Sequence, residues 1–183
     1  MLLTETELPK VYVIEQSVTK DERGSFVKNF HKDTFEQVGL EVDFSESYYT
    51  KSKEDVIRGM HFQAPPHDHS KLVTVIQGTI LDVILDIRQN SPTYGQYIAL
   101  ELSRENRKSI YIPRGCAHGF CVLSEMAIAF YMTTTVYEPQ VDQGILFNSF
   151  GYTWPTENPV LSVRDKNFID YKSFNTPFDH SWK

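Results

Sequence analysis

Short apolar, β-branched runs recur along this chain, and each is closed by residues that favour turns. Residues 72–76, 80–87 and 97–102 are such runs, broken by Gly78 and by the stretch QNSPTYG. Residues 109–113, 119–123 and 128–137 continue the series, and 11–14, 26–30 and 44–50 read as weaker strands before it. Runs of this length between Gly, Pro, Asn and Ser make strands; they are too short for amphipathic helices. The one helix expected covers 33–38, with Asp33 or Thr34 as its cap and Gly39 as its stop. After Pro155 the tail is polar and aromatic, suited to short helices or coil. Many short strands with almost no helix form an all-β sandwich or barrel. The mouth of a small antiparallel barrel can hold one small ligand.

No internal repeat, linker or low-complexity segment interrupts the 183 residues, so one domain spanning 1–183 is expected. The formal net charge of −6 argues against nonspecific nucleic-acid binding, which needs a basic face. No apolar run approaches the length of a membrane span, and the opening MLLTETELPK lacks the basic start and apolar core of a signal peptide. Cys116 and Cys121 form neither a metal-binding ladder nor a disulfide framework, which fits a reducing cytoplasm. Both read as small core residues. An anionic ligand would have to be met by a local basic cluster in an otherwise acidic chain.

Residues 56–78 supply that cluster: VIRGMHFQAPPHDHSKLVTVIQG places Arg58, His61, His67, His69 and Lys71 around a Pro-Pro loop between two strands. Strict alternation puts Ile57, Gly59, His61 and Gln63 on one face and Arg58, Met60 and Phe62 on the other. Arg58 and His61 can then share a pocket only if Gly59 or a bulge re-aims one of them. His67-Asp68-His69 has the His-x-His pairing of a metal site, but Val73 and Thr74 stand where a carboxylate would complete it, so no metal is expected. His118, flanked by Ala117 and Gly119 just after the turn Pro113-Arg114-Gly115, is either a packed histidine or a ligand contact. Tyr131 ends the apolar run AIAFYM, and a buried tyrosine there either donates a structural hydrogen bond or serves as an acid. Asp165 is either a surface acid or a group that orients a histidine. With no nucleophile elbow or phosphate-cradling glycine loop, the inventory suits proton transfer better than covalent catalysis.

The blocks DERGSF, IRGMHFQAPP, SKLVTVIQGTILDVILDIRQNSPTYGQ, LSRENRKSIYIPRGCAHGFCVLS and WPTENPVLSVRDKNF follow one another between residues 10 and 166. In that order they resemble the nucleotide-sugar 3,5-epimerases typified by dTDP-4-dehydrorhamnose 3,5-epimerase. The resemblance implies a cupin-type jelly-roll barrel with no metal or other cofactor. It implies a homodimer whose N-terminal strand crosses to the partner, and substrates that are nucleoside diphosphate 4-keto-6-deoxyhexoses. By the same resemblance His61 is the general base, Asp165 its orienting carboxylate, Tyr131 the acid on the opposite face and Lys71 the enolate stabiliser. Arg23, Arg58 and His118 would hold sugar and diphosphate, Tyr137 would stack on the base, and Lys28, Glu46, Tyr48, Asp142 and Arg164 would complete the substrate site.

Some positions depart from the family pattern. Lys28 stands where a glutamate is common, and Glu46 and Tyr48 replace a Gln-x-Asn pair. Asp142 replaces a glutamate, Phe147 a tryptophan, and Met132 the lysine that usually follows the tyrosine. All are expected at the nucleotide and the pocket rim, which suggests CDP or GDP rather than dTDP, with inversion at C3 and C5 as the open second centre. The pathway expected is deoxysugar or surface-polysaccharide (O-antigen) synthesis. A 3,4-ketoisomerase of the same scaffold, or a noncatalytic sugar-nucleotide-binding cupin, are the alternatives; the second would lack the base or the acid, and neither is missing.

Overall fold

The computed structural model describes residues 1–179. Along the chain lie β1 (Leu2–Glu5), β2 (Tyr12–Glu15), β3 (Ser17–Asp21), β4 (Gly24–Lys28), α1 (Lys32–Glu36), β5 (Glu46–Lys53), β6 (Ile57–Gln63) and β7 (Lys71–Gln77). Then come β8 (Thr79–Asp86), β9 (Tyr97–Ser103), β10 (Lys108–Ile112), β11 (Cys116–Val122), β12 (Met126–Thr133), β13 (Asp142–Gly144) and α2 (Val163–Lys166). A 3₁₀ turn, Tyr171–Ser173, closes the series.

Strands β1-β2-β10-β7-β12-β5 form a six-stranded sheet, and β13-β6-β11-β8-β9 a five-stranded one. From β10 to β13 the chain changes sheet at every step, which makes two facing walls: a cupin-type jelly-roll barrel. The ribbon β3–β4 stands apart from both.

Alternation explains how one run serves two cores. Along β8, Ile80 and Ile84 turn inward with Val73, Val75, Ile110, Phe120 and Ala129. Val83 and Leu85 turn outward beneath Ile145, Phe150, Trp154 and Phe178, contributed by the aromatic tail. With both faces covered, nearly every residue of β8 is buried, so the strand reads as almost continuously apolar. Each fully buried Ile or Leu contributes about 1.5–3 kcal/mol of transfer free energy. The outer face of the six-stranded sheet is covered in part by Phe35 of α1, which packs with Tyr12, Ile14, Leu40, Leu72 and Tyr111. Cys116 and Cys121 are free, buried core residues, as expected.

Three local expectations change. The cap of α1 is His31, whose side chain makes no capping bond; Asp33 and Thr34 lie inside the helix. His118 is not beside a turn: β11 begins at Cys116 and carries it within the strand, 4% exposed. β12 ends at Thr133, so Tyr137 belongs to the following loop rather than to a strand. The sequence signals were weak at both strand boundaries because Gly115 and Gly119, and the repeated threonines 133–135, are compatible with strand or turn.

Candidate active site

The parity conflict in β6 is resolved by a bulge. His61 pairs with His118 and Arg58 with Phe120, so two residues of β6, Gly59 and Met60, oppose the single residue Gly119 of β11. The extra residue reverses the alternation, and Arg58 and His61 line the same cavity while Ile57, Met60 and Phe62 pack outward. Gly59 has φ +136°, and a Cβ there would collide with the Cα of Gly119. Two glycines face to face are what bring the strands this close.

The cavity, about 350 Å³, opens between the sheets, a size suited to a small ligand. The five-stranded wall gives it Arg58, His61, Gln63 and His118; the six-stranded wall gives Glu46, Tyr48, Lys71, Tyr131 and Thr133. Tyr137, Asp142 and Arg164 rim it. On the six-stranded wall the residues fall in rows set by register: Glu46–Thr133–Lys71, then Tyr48–Tyr131–Val73.

His61 Nε2 lies 3.0 Å from Asp165 Oδ1. A carboxylate only accepts, so Nε2 carries the proton and Nδ1 keeps its lone pair. Asp165 is fixed in turn: its Oδ2 accepts from the Gly59 N–H at 3.2 Å, and its own N–H is capped by Ser162 Oγ at 3.0 Å as α2 begins. Burial alone would raise its pKa, but the bonds from His61, Gly59 and Ser162 prevail and hold it at about 2. Burial pushes the His61 pKa below its ordinary value; Asp165 pulls it back up, while Lys71 and Arg164 add to the lowering. At neutral pH this imidazole is an unprotonated, oriented base. Phe168 packs edge-on against it, with ring centroids 5.5 Å apart.

Lys71 is 7% exposed, and its Nζ reaches the His61 carbonyl at 3.5 Å. Burial lowers its pKa to about 8, against the pull of Asp142 and Asp82, so it remains largely an ammonium at neutral pH. Tyr131, on the same six-stranded sheet as Lys71 and facing His61, is 4% exposed. Burial raises its pKa strongly, with Tyr48 and Asp82 acting in the same direction, and the phenol keeps its proton. His118 Nε2 donates to Asp82 Oδ1 at 2.8 Å. At the rim Arg164 pairs with Asp142, Arg58 Nε donates to Ser52 Oγ at 2.9 Å, and the Tyr137 N–H donates to Glu46 Oε2 at 2.6 Å.

Thus His61, Lys71, Tyr131, Arg58, His118, Glu46, Tyr48, Tyr137, Asp142 and Arg164 converge on one cavity, with Asp165 directly behind His61. Arg23 and Lys28 do not. They lie on the exposed β3–β4 ribbon, where Arg23 pairs with Asp21 at 2.5 Å. Phe147 is also elsewhere, packed with the tail core outside the five-stranded sheet.

Asp82 escaped the sequence analysis. It is fully buried, and Oδ2 has no hydrogen-bond partner among the described residues. The available signal was a carboxylate in the middle of ILDVILD, where burial is costly without a partner. His69 also lines the cavity, with its Nδ1 3.2 Å from Gln63 Nε2, whereas His67 is exposed.

An oriented, unprotonated imidazole on one wall, with a protonated phenol and a buried ammonium on the other, is an arrangement able to move protons at carbon. Residues 5–173 match the family model described as dTDP-4-dehydrorhamnose 3,5-epimerase. The chain is 41% identical to the dTDP-4-dehydrorhamnose 3,5-epimerase of Shigella flexneri over 180 residues, 95% of this chain and 99% of that one. The crystal structure of the enzyme of that name from Elizabethkingia anophelis superposes with a TM-score of 0.91 at 38% identity, covering 96% and 99% of the two chains. That of the Legionella pneumophila dTDP-6-deoxy-D-glucose-3,5-epimerase, in complex with dTDP-4-keto-L-rhamnose, gives 0.93 at 32% identity, covering 100% and 98%. The chain belongs to the dTDP-4-dehydrorhamnose 3,5-epimerase family and is an isomerase. Among the described residues no helix is long and apolar enough to cross a membrane.

Proposed function

We propose that this enzyme epimerises a nucleoside diphosphate 4-keto-6-deoxyhexose, inverting C3, through an enolate. The observation that carries this is the placement of the His61–Asp165 pair and Tyr131 on opposite walls of one cavity, with Lys71 buried on the Tyr131 wall and its Nζ reaching toward His61. His61 Nδ1 takes the proton from the carbon beside the C4 ketone, and the electron pair moves onto the ketone oxygen. Lys71 stabilises the oxyanion as it forms, in a site where its charge is poorly screened. Tyr131 then protonates the carbon from the opposite face. The tyrosinate regains a proton from solvent and His61 releases its own. A phenol of raised pKa can do this because the carbon it protonates is a weaker acid still. Asp165 stabilises the transient imidazolium. No step requires a metal or redox cofactor. Arg58 and Arg164 supply positive charge for the diphosphate.

The relatives' names and the Legionella complex point to thymidine diphosphate. One observation favours a second nucleotide. Glu46, an acceptor-only group bonded to the rim through Tyr137, suits the amine edge of cytosine or guanine better than the thymine carbonyl. The test is proton NMR in heavy water with dTDP-, CDP- and GDP-4-keto-6-deoxyglucose in parallel. Label and inversion at C3 are expected, and label entering C5 at the same rate would extend the reaction to both centres. Turnover of the dTDP sugar alone would remove the second nucleotide. Tyr131→Phe should still exchange the C3 proton through His61 while losing inversion; if it inverts normally, Tyr131 is not the acid.

The assembly we favour is a homodimer. The outer face of the six-stranded sheet leaves Tyr49 68% and Ile76 49% exposed, and the ribbon β3–β4 holds out Phe26, 66% exposed, beside Lys28. A second copy would cover that face and receive Arg23 and Lys28 at its own cavity. Light scattering should give twice the chain mass, and a single-chain mass would overturn this assembly. A place in the cytoplasm, in deoxysugar or surface-polysaccharide synthesis, follows from a nucleotide-sugar substrate and two unpaired thiols.

A further inference from the structure

Tyr48 and Tyr131 are directly opposite one another in the β5–β12 ladder, and both side chains face the cavity. Their rings are stacked, with centroids 4.7 Å apart and planes at 14°. From the facing sheet His118 meets Tyr131 edge-on at 6.2 Å, and His118 is itself held by the buried Asp82. Tyr131 is therefore held by contacts with a flat stacked ring and an anchored imidazole. Tyr48 is 39% exposed and Tyr131 4%, so Tyr48 is the more solvent-exposed ring of the stack. A stacked aromatic pair adds about 0.5–1.5 kcal/mol beyond area burial. That is enough to hold one ring orientation over its tilted neighbours.

We infer that Tyr48 is a positioning residue: its ring fixes the Tyr131 phenol on the face of the sugar opposite His61 and thereby decides whether an enolate, once formed, is inverted or returned. This rests on the proposed epimerase activity. The enolate has two fates. If the His61 imidazolium returns a proton, the original configuration is restored, with solvent deuterium at the carbon. If Tyr131 delivers the proton, the centre inverts. The first fate depends on the His61–Asp165 wall, which Tyr48 does not touch. The second depends on where the phenolic O–H sits, and a misplacement of about 1 Å can cost on the order of 10²-fold. Loosening Tyr131 should therefore change the ratio of the two fates, whereas a general loss of structure would lower both together.

The experiment measures inversion and solvent-deuterium exchange at C3 in the same NMR sample, for the full chain and three variants. Tyr48→Asn and Tyr48→Leu remove the flat ring, the second retaining apolar bulk should the first fold poorly; Tyr48→Phe keeps the ring and loses only the hydroxyl. We expect the inversion-to-exchange ratio to fall roughly tenfold or more in Tyr48→Asn and Tyr48→Leu, and to stay at the wild-type value in Tyr48→Phe. An unchanged ratio in Asn and Leu overturns the role of the ring. A Phe variant that falls with them overturns it too, since the hydroxyl would then be the working group. If the wild type exchanges no substrate at all, the epimerase activity itself fails and the role of Tyr48 falls with it.

Discussion

His61→Gln is expected to lower turnover by about 10³–10⁴-fold and to abolish deuterium exchange at carbon. The glutamine amide reaches the place of Nε2 and can still donate to Asp165, so the bond between β6 and α2 is preserved. What disappears is the lone pair at the position of Nδ1. Because that loss precedes the enolate, exchange and inversion should vanish together, unlike the split expected for Tyr131→Phe. Calorimetry should show sugar-nucleotide binding within a few-fold of wild type, since the binding cations Arg58 and Arg164 are untouched. Residual exchange above roughly a tenth of wild type, far more than loss of a general base allows, would mean that another group removes the proton.

Lys71→Met should cost about 10²–10³-fold in kcat/KM, the scale of losing one preorganised donor at a developing oxyanion. Methionine keeps much of the volume, so a cavity is not the cause. The pH dependence of the wild type gives an independent check. The pKa of Lys71 is lowered to about 8, chiefly by burial, so its ammonium is present below that pH and lost as pH rises through it. The pKa of His61 is lowered as well, so the neutral base persists below the ordinary histidine value and is lost only at more acid pH. The profile of kcat/KM should therefore be a bell with its alkaline limb near pH 8 and its acid limb below about 6.5. In Lys71→Arg the alkaline limb should move far upward, because a guanidinium does not titrate there. An alkaline limb that stays in place in the Arg variant would assign it to another group.

Much of this molecule was legible in its sequence, for local reasons. The β8 run reads as a strand because its apolar residues are β-branched and it ends at turn residues, and both faces prove to be buried. The basic cluster between 58 and 71 was visible as composition. Its chemistry came from the order of the motif blocks. Asp165 stood open between a surface acid and a histidine-orienting group until that resemblance, since nothing local in LSVRDKNF says that a one-turn helix will aim its carboxylate at a histidine more than a hundred residues earlier.

Other features were hidden because they depend on distance in space. Asp82 drew no reading within its apolar strand, and its meaning lies with His118 on the neighbouring strand. The Tyr48–Tyr131 stack is a matter of register between β5 and β12, which no single segment encodes. Arg23 and Lys28 read as site residues, yet within one chain they stand on a ribbon away from the cavity.

By itself the sequence determined the strand-rich class, the two buried cysteines and the stock of proton-transfer groups, because alternation and turn chemistry act over a few residues. Tertiary structure decided which of those groups meet. A single extra residue at Gly59–Met60 turned Arg58 and His61 toward the same cavity, and two packed sheets set His61 and Tyr131 on facing walls. Proton transfer depends on ångström-scale placement, and that placement comes from register and packing between segments far apart in the chain.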